Sequence, residues 1–590
     1  MLSSILSVFL VTFVLVQQAT SGPVVETTNG VIEGETVIFS EDTFININKS
    51  IDVFRGIPFA EPPIGANRFR SPQPAKPWDG VYDASYFRMA CPQPFISFSG
   101  IGEDCLYLNV FVPHTIPENS AVMVYMFGGA FIIGHGSQEE YSGIPMSAVG
   151  DVIVVTLNYR LGPFGFLTTG DDSAPGNYGV LDQVMALEWV QDNIQAFGGD
   201  PNQVTIFGQS AGGASVGLHL MSPLSQNLFQ KAIMQSGVSL VAFGFRSDID
   251  NAKSEAFALG ALFNCSDEST VELMACLREQ TEDEILQGGL QVADKYVPVI
   301  DGYFLHDTPQ NLLKNNEFAA VDIMLGTNKD EGSSYALGAF PEAFNARTPP
   351  PMNRSLYEET WPMFTYGYVN DQLVDAVETE YVDWSIAESP DADYLDTMIR
   401  QITDQAYWGP TDEVARAHVA VNATVYLYYM THVPTVSIYN ILSLGPKWLG
   451  CTHAEDVPFV FGHAFIPGVQ FYKPKLPRDV EIELSVKLMK YWTNFAKHGT
   501  PNGDGDDDLP HWPTFTIPDL SYKEISLDLP NGRVLKPEYS NFWNNYIPRL
   551  ITFTEDLELA QDEWQANMNE WKEKYLPRWK QEFEKYKSEL

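Results

Sequence analysis

Short apolar runs alternate with amphipathic stretches through most of the chain. Residues 122–127, 152–157, 204–207 and 323–325 are rich in Val, Ile, Leu, Met and aromatic side chains, and each run closes on glycine, asparagine or another turn former. That pattern predicts strands. Because the apolar positions are consecutive rather than alternate, the strands suit a sheet covered on both faces. Residues 180–193 carry a helical period, and residues from 211 onward read as a helix entered by a very tight turn after the 204–207 run. Residues 425–429 add a further strand-like run. The βα alternation predicts an α/β protein with a large, mostly parallel central sheet flanked by helices. In such a sheet, reactive groups gather at the carboxyl ends of the strands. No internal repeat interrupts the pattern, which excludes solenoids and propellers.

Residues 335–420 break the strand rhythm with helix formers, aromatics and acids, and predict a helical insertion covering the sheet edge. Residues 502–508 predict a solvated Asp/Gly loop. At the amino end, an apolar stretch over residues 5–16 lies between Met1-Leu2-Ser3-Ser4 and small or polar residues through Gly22. It is shorter than the roughly 20 residues a membrane-spanning helix takes, so it predicts a cleaved secretory signal over residues 1–22. No later segment is apolar enough for a stable membrane anchor. Residues 554–590 carry Trp564, Trp571 and Trp579 with Pro577 as a break, and predict a charged amphipathic tail packed through its tryptophans. The main α/β domain then runs from 23 to 553.

Thirty-five basic against 76 acidic residues give a formal charge of −41. Such a surface repels phosphate backbones and anionic lipid, which excludes nucleic acid as a partner. Secretion makes disulfides available to the five cysteines. Cys91 and Cys105 flank one short loop and Cys265 and Cys276 another, so two local bridges are expected. Cys451 is left as a buried, inert thiol. No Cys or His pair has zinc-ligand spacing, and no cofactor is implied. Sequons at Asn48, Asn264, Asn353 and Asn422 agree with a lumenal route.

The sharpest motif is Val204-Thr205-Ile206-Phe207-Gly208-Gln209-Ser210-Ala211-Gly212-Gly213, an apolar strand running into G-x-S-x-G. A serine on a sharp strand-to-helix turn needs strained backbone angles and close neighbours, which glycines two before and two after permit. Its hydroxyl then stands at a helix N-terminus, where free N–H groups favour developing negative charge. Ser210 is the candidate nucleophile. A serine alcohol needs a base and an orienting acid, and with this elbow they follow in the order acid, then histidine. After the 323–325 run, Asp330 and Glu331 both lie on one strand-terminal loop, and spacing does not choose between them. Of the downstream histidines, His418 falls in a helical pattern and His498 and His511 in polar, turn-rich segments. His453 follows a strand-like run and is the best placed. Upstream, Met123-Val124-Tyr125-Met126-Phe127-Gly128-Gly129-Ala130-Phe131 is a strand followed by small residues. The N–H groups of Gly129, Ala130 and Ala211 are candidates for an oxyanion hole.

Five further segments carry a family resemblance: Phe54-Arg55-Gly56-Ile57-Pro58, Glu103-Asp104-Cys105-Leu106-Tyr107-Leu108-Asn109, Asn158-Tyr159-Arg160, Asp182-Gln183 and Ser236-Gly237. With the motifs above, the chain resembles the cholinesterase and type-B carboxylesterase family. The resemblance implies the α/β-hydrolase fold and an acyl-enzyme ester hydrolase. It implies a triad of Ser210, Glu331 and His453, the oxyanion hole, both disulfides, and Gln209 and Ser236 as residues supporting the triad. Many relatives have Glu before the serine. Gln209 is typical of juvenile hormone esterases, which share Arg68-Phe69 and Asp182-Gln183. Loss of a carboxylate there, and a short Cys91–Cys105 loop without tryptophan, argue against a cationic choline ester. An apolar isoprenoid methyl ester is the sharpest expectation for the substrate. A broad-specificity detoxifying or digestive esterase or lipase, and a non-catalytic adhesion relative, are the rival readings. The terminal Lys587-Ser588-Glu589-Leu590 resembles a retention signal, so the endoplasmic reticulum lumen stands beside secretion.

Overall fold

The computed structural model describes residues 22–589, except 95–99, 267, 294, 341–343, 345–347, 361–369, 388, 390, 441–446, 467–477 and 506–508. The signal expected over residues 1–22 lies outside the described residues apart from Gly22, as do the last three positions of the Asp/Gly loop.

Fourteen described strands occur in chain order. They are β1 (Val24–Thr27), β2 (Gly30–Glu33), β3 (Glu35–Glu41), β4 (Ile47–Pro58), β5 (Val81–Asp83), β6 (Tyr107–Pro113), β7 (Ser120–Met126), β8 (Ile153–Leu157), β9 (Gly199–Gln209), β10 (Lys231–Gln235), β11 (Asp322–Asn328), β12 (Val425–Met430), β13 (Ser521–Ile525) and β14 (Asn531–Arg533). A small sheet has the order β1-β2-β5. The large one has eleven strands, ordered β14-β13-β12-β11-β10-β9-β7-β8-β6-β4-β3. From β13 to β8 all neighbours are parallel, and antiparallel pairs close both ends. This is the large, mostly parallel sheet of the α/β-hydrolase fold.

Every residue of β7, β8 and β12 is buried, as their unbroken apolar runs require. Helices Tyr178–Asn193, Ala211–Met221, Gly409–Ala420 and Arg478–His498 pack against the sheet strands. The register brings the strand ends level: Met126 pairs with Gly208, Gln209 with Gln235, Gln235 with Gly326, and Gly326 with Tyr428. Loops leaving β7, β9, β10, β11 and β12 therefore open on one end of the sheet.

The helical insertion departs from expectation. Its last helix, Gly409–Ala420, lies on β11 and β12, which are internal strands, because the β13–β14 hairpin occupies the edge. The earlier helices gather in a second apolar cluster with Tyr357, Tyr381, Met398, Ile402 and Tyr407, joined by Phe542 and Ile547.

The tail also departs from expectation. Helix Ile547–Glu570 continues through a widened turn at Trp571–Tyr575 into Leu576–Glu589. Trp564, Trp571 and Trp579 are 61%, 48% and 59% exposed, so the tryptophans do not pack onto the domain. Near the start of the helix, Ile547 and Ile551 join the second apolar cluster and Thr554 Oγ1 accepts from Asn370 Nδ2 at 3.1 Å, and helix Asp371–Tyr381 packs against it. Pro577 does not break the helix. It occupies the second position after the widened turn, where a missing N–H and the ring are tolerated.

Cys91 is bridged to Cys105 and Cys265 to Cys276, and Cys451 is a buried free thiol. No described helix is long and apolar enough to cross a membrane.

Candidate active site

β9 carries Ser210 to its end in a conformation side chains seldom adopt, φ 59° and ψ −126°. The surroundings hold it there. Its N–H donates to the Gln235 carbonyl of β10 at 2.8 Å, and its own carbonyl accepts from Ala214 N–H at 2.8 Å. The flanking glycines permit the turn by contact distance. A methyl group on Gly212 would stand 1.9 Å from the Met126 carbonyl oxygen, and one on Gly208 would stand 2.5 Å from the Gly212 backbone.

The acid loop leaves β11 and the histidine loop follows β12. His453 Nε2 is 2.7 Å from Ser210 Oγ, and His453 Nδ1 is 2.5 Å from Glu331 Oε2. Glu331 is wholly buried, and its other oxygen accepts from Asn328 N–H at 2.7 Å. Asp330, its neighbour, turns the other way and accepts from Cys451 N–H at 2.9 Å. Burial pushes its carboxyl up, and the Cys451 amide partly offsets this. Two further contacts latch the loops together. Asn328 Nδ2 donates to the Thr452 carbonyl at 2.8 Å, and Ser333 Oγ bonds Thr452 Oγ1 at 2.6 Å.

Residues 128–131 pass close to the serine: a methyl group on Gly128 would lie 2.9 Å from Ser210 Cβ. Gly129, Ala130 and Phe131 all have positive φ, and the Gly129 carbonyl accepts from Ile132 and Ile133 N–H at 3.0 Å each. Among the described residues, the N–H groups of Gly129, Ala130 and Ala211 donate to no side chain and to no backbone carbonyl outside regular pairing.

Gln209 Nε2 lies 3.2 Å from His453 Nε2, so its amide touches the nitrogen that faces the serine. Ser236 sits at the end of β10 with φ 49° and donates its N–H to the Gly326 carbonyl. Its buried hydroxyl has no hydrogen-bond partner among the described residues and does not reach His453 or Glu331.

The structure adds groups that the motif reading did not use. Tyr407 places its ring 5.0 Å from the His453 ring. Asp456, fully buried, accepts from Gln235 Nε2 at 2.7 Å and Tyr428 OH at 3.0 Å, and Trp492 Nε1 donates to Gln235 Oε1. Burial raises the Asp456 carboxyl. Beside it, burial pushes Glu455 up to about 8, against hydrogen bonds from Ser437 Oγ and Ile438 N–H. Asp456 was visible three residues after His453, but a carboxylate near a histidine carries no signal of its burial. Three other downstream histidines are engaged elsewhere. His418 Nδ1 meets the Val414 carbonyl, His432 meets Glu481 and His463 meets the Glu140 carbonyl. Burial also pushes the Cys451 thiol well above its usual range. Among the described residues, no cluster of His, Cys, Asp or Glu could hold a metal ion.

A serine, an imidazole and a buried carboxylate in one hydrogen-bonded row, on a strand-to-helix elbow of a mostly parallel sheet, define a serine hydrolase of the α/β-hydrolase fold. The chain belongs to the carboxylesterase family, whose model matches residues 21–543. It is 35% identical over 560 residues to acetylcholinesterase of Bungarus fasciatus, covering 91% of this chain and 89% of that one. It is 36% identical over 589 residues to acetylcholinesterase of Electrophorus electricus, covering 90% of each, and 35% identical over 592 residues to that of Danio rerio, again covering 90% of each. The protein is a carboxylic-ester hydrolase.

Proposed function

We propose that Ser210 attacks the ester carbonyl while His453 takes its proton and passes it to the leaving alcohol. Water then cleaves the acyl-enzyme with His453 again as base. Glu331 holds the imidazole in the tautomer that presents a free Nε2 to the serine and stabilises the imidazolium that forms. The amides of Gly129, Ala130 and Ala211 receive the oxyanion, each worth on the order of 3 kcal/mol in the barrier. The observation that carries this reading is the pair of contacts on His453, 2.7 Å to Ser210 and 2.5 Å to Glu331. Ser210→Ala is expected to reduce ester turnover by on the order of 10⁵-fold or more with the fold intact. Retained turnover in that variant would refute the assignment.

For the substrate we infer a neutral, apolar ester, with an isoprenoid methyl ester of the juvenile hormone type as the specific case. Gln209 supports it. An amide rather than a carboxylate beside the His453 nitrogen offers no negative charge to a quaternary ammonium. The second reading is a choline ester, favoured by the acetylcholinesterase relatives. Initial rates on an isoprenoid methyl ester, acetylcholine, a short neutral ester and a triglyceride separate the readings. Preference for acetylcholine or for short esters generally would overturn the isoprenoid assignment.

We further propose that residues 23–553 form the esterase unit, that 554–590 are an appended helix, and that the chain passes through the secretory route. The two bridges and the exposed sequon asparagines Asn48, Asn264, Asn353 and Asn422 support that route. The Lys-Ser-Glu-Leu terminus makes the reticulum lumen the alternative destination.

A further inference from the structure

On the face of the molecule bounded by helix Thr270–Glu279 lies a cavity of about 550 Å³, within the range of roughly 300–1,000 Å³ common to small-molecule sites. It shares no lining residue with the Ser210–His453–Glu331 group or with residues 128–131. Pro175 and Val271 supply its exposed apolar wall, with the buried Phe69 and Met274 beneath, and two guanidinium side chains, Arg70 and Arg278, stand on it.

The cations are unusual for a chain with 76 acids and 35 bases. Like charges are brought together only against their mutual repulsion. Arg278 is held below its usual range by burial and then by Arg70, which places the two within electrostatic reach of each other. Nearby acids are already engaged. Glu103 grips Arg68 through Nε at 2.7 Å and through Nη2, and Asp182 grips Arg160 at 2.8 and 2.7 Å. Arg278 Nε donates to the Arg68 carbonyl at 3.0 Å, while neither Arg278 nor Arg70 has a described ion-pair partner. Asp172 is the one carboxylate on the wall, and it makes no described ion pair with either arginine.

The cleft is also preformed. Arg68 Nη1 reaches the carbonyls of Arg278 and Gln280 at the end of the wall helix, and Ser173 Oγ meets Thr270 Oγ1 at 3.1 Å near its start. Cys265–Cys276 ties the same helix to the segment before it.

We propose that this cleft is a second ligand site, separate from the esterase centre, which binds a carboxylate carried on an apolar body. Arg70 and Arg278 receive the carboxylate as charge-assisted donors. Pro175 and Val271, the exposed apolar side chains of the wall, take the hydrocarbon. Two sources supply this chemistry: the acid released from the protein's own ester, and free fatty acid from its surroundings.

The test is calorimetric titration of the full-length protein after its Ser210 centre has been blocked with a covalent organophosphate. Decanoate, an isoprenoid carboxylic acid, decanol and decyltrimethylammonium are the probes. Saturable binding of the acids, with decanol and the cation at least about tenfold weaker, is the expected result. Arg70→Gln and Arg278→Gln should each weaken acid binding on the order of tenfold, with Arg278→Lys intermediate. Tighter binding of the isoprenoid acid assigns the site to the protein's own product, and tighter binding of decanoate to fatty acid. Arg70 makes no described side-chain hydrogen bond or ion pair, so Arg70→Gln carries the test should Arg278→Gln fail to fold. Unchanged acid affinity in Arg70→Gln, equal affinity for decanol, or loss of all binding when Ser210 is blocked would overturn the proposal.

Discussion

Asp330 and Cys451 grip each other twice: Asp330 N–H donates to the Cys451 carbonyl, and Cys451 N–H donates to the Asp330 carboxylate, both at 2.9 Å. The first of these residues precedes Glu331 and the second lies two before His453. The clasp therefore fixes the distance between acid and imidazole without touching either.

Asp330→Ala removes one half of the clasp and leaves the Cys451 amide without its acceptor. Small displacements of a catalytic group lower rate more than affinity. A fall in kcat of about tenfold with KM nearly unchanged, and a lower Tm from the unpaired amide, is expected. Steady-state kinetics and thermal unfolding of the variant check it. A normal kcat would show that the loops hold their places without the clasp.

Gln209→Glu places a carboxylate within reach of His453 Nε2, where the amide now stands at 3.2 Å. The ratio of kcat/KM for a cationic choline ester to that for its neutral isostere should rise by about tenfold. Parallel assays of the two esters measure this, and an unmoved ratio would remove Gln209 from the substrate argument.

Glu455 makes stability depend on pH. Its carboxyl is raised by burial from near 4.5 to about 8. The folded chain therefore holds this proton over a range in which the unfolded chain has released it. Stability from the protonated group is complete below about 4.5 and is lost as pH rises through about 8. Glu455→Gln should flatten that decline, matching the parent at pH 4 and exceeding it in Tm at pH 8. Parallel declines in the two proteins between those values would contradict it.

Residues 571–589 bury no described side chain. Deleting everything after Glu570 should leave kcat/KM within about twofold and Tm nearly unchanged, as expected where no packing is lost. A large fall in either would place the tail helix against the esterase unit.

Local chemistry was legible in the sequence. The five apolar runs are strands, and the elbow at Ser210 could be read because its causes are contiguous: a strand, two glycines at fixed spacing and a helix start. The bridged cysteines lie only 14 and 11 residues apart and were equally readable. Strand β3 escaped the pattern because it is an edge strand in which only Phe39 is buried and the other positions are half-buried or exposed, so it carries no unbroken apolar run. The tail misled for a related reason. Tryptophans at helical spacing report an amphipathic face, but only the fold decides what lies against it.

The sequence by itself determined the strand-and-helix order and the backbone at the serine, since these depend on neighbours a few residues apart. The tertiary structure decided which of two adjacent carboxylates turns inward to His453, and which histidine among several stands over Ser210. Those choices join positions 122 and 243 residues apart. They follow from strand register and loop-to-loop hydrogen bonds, which no local pattern encodes.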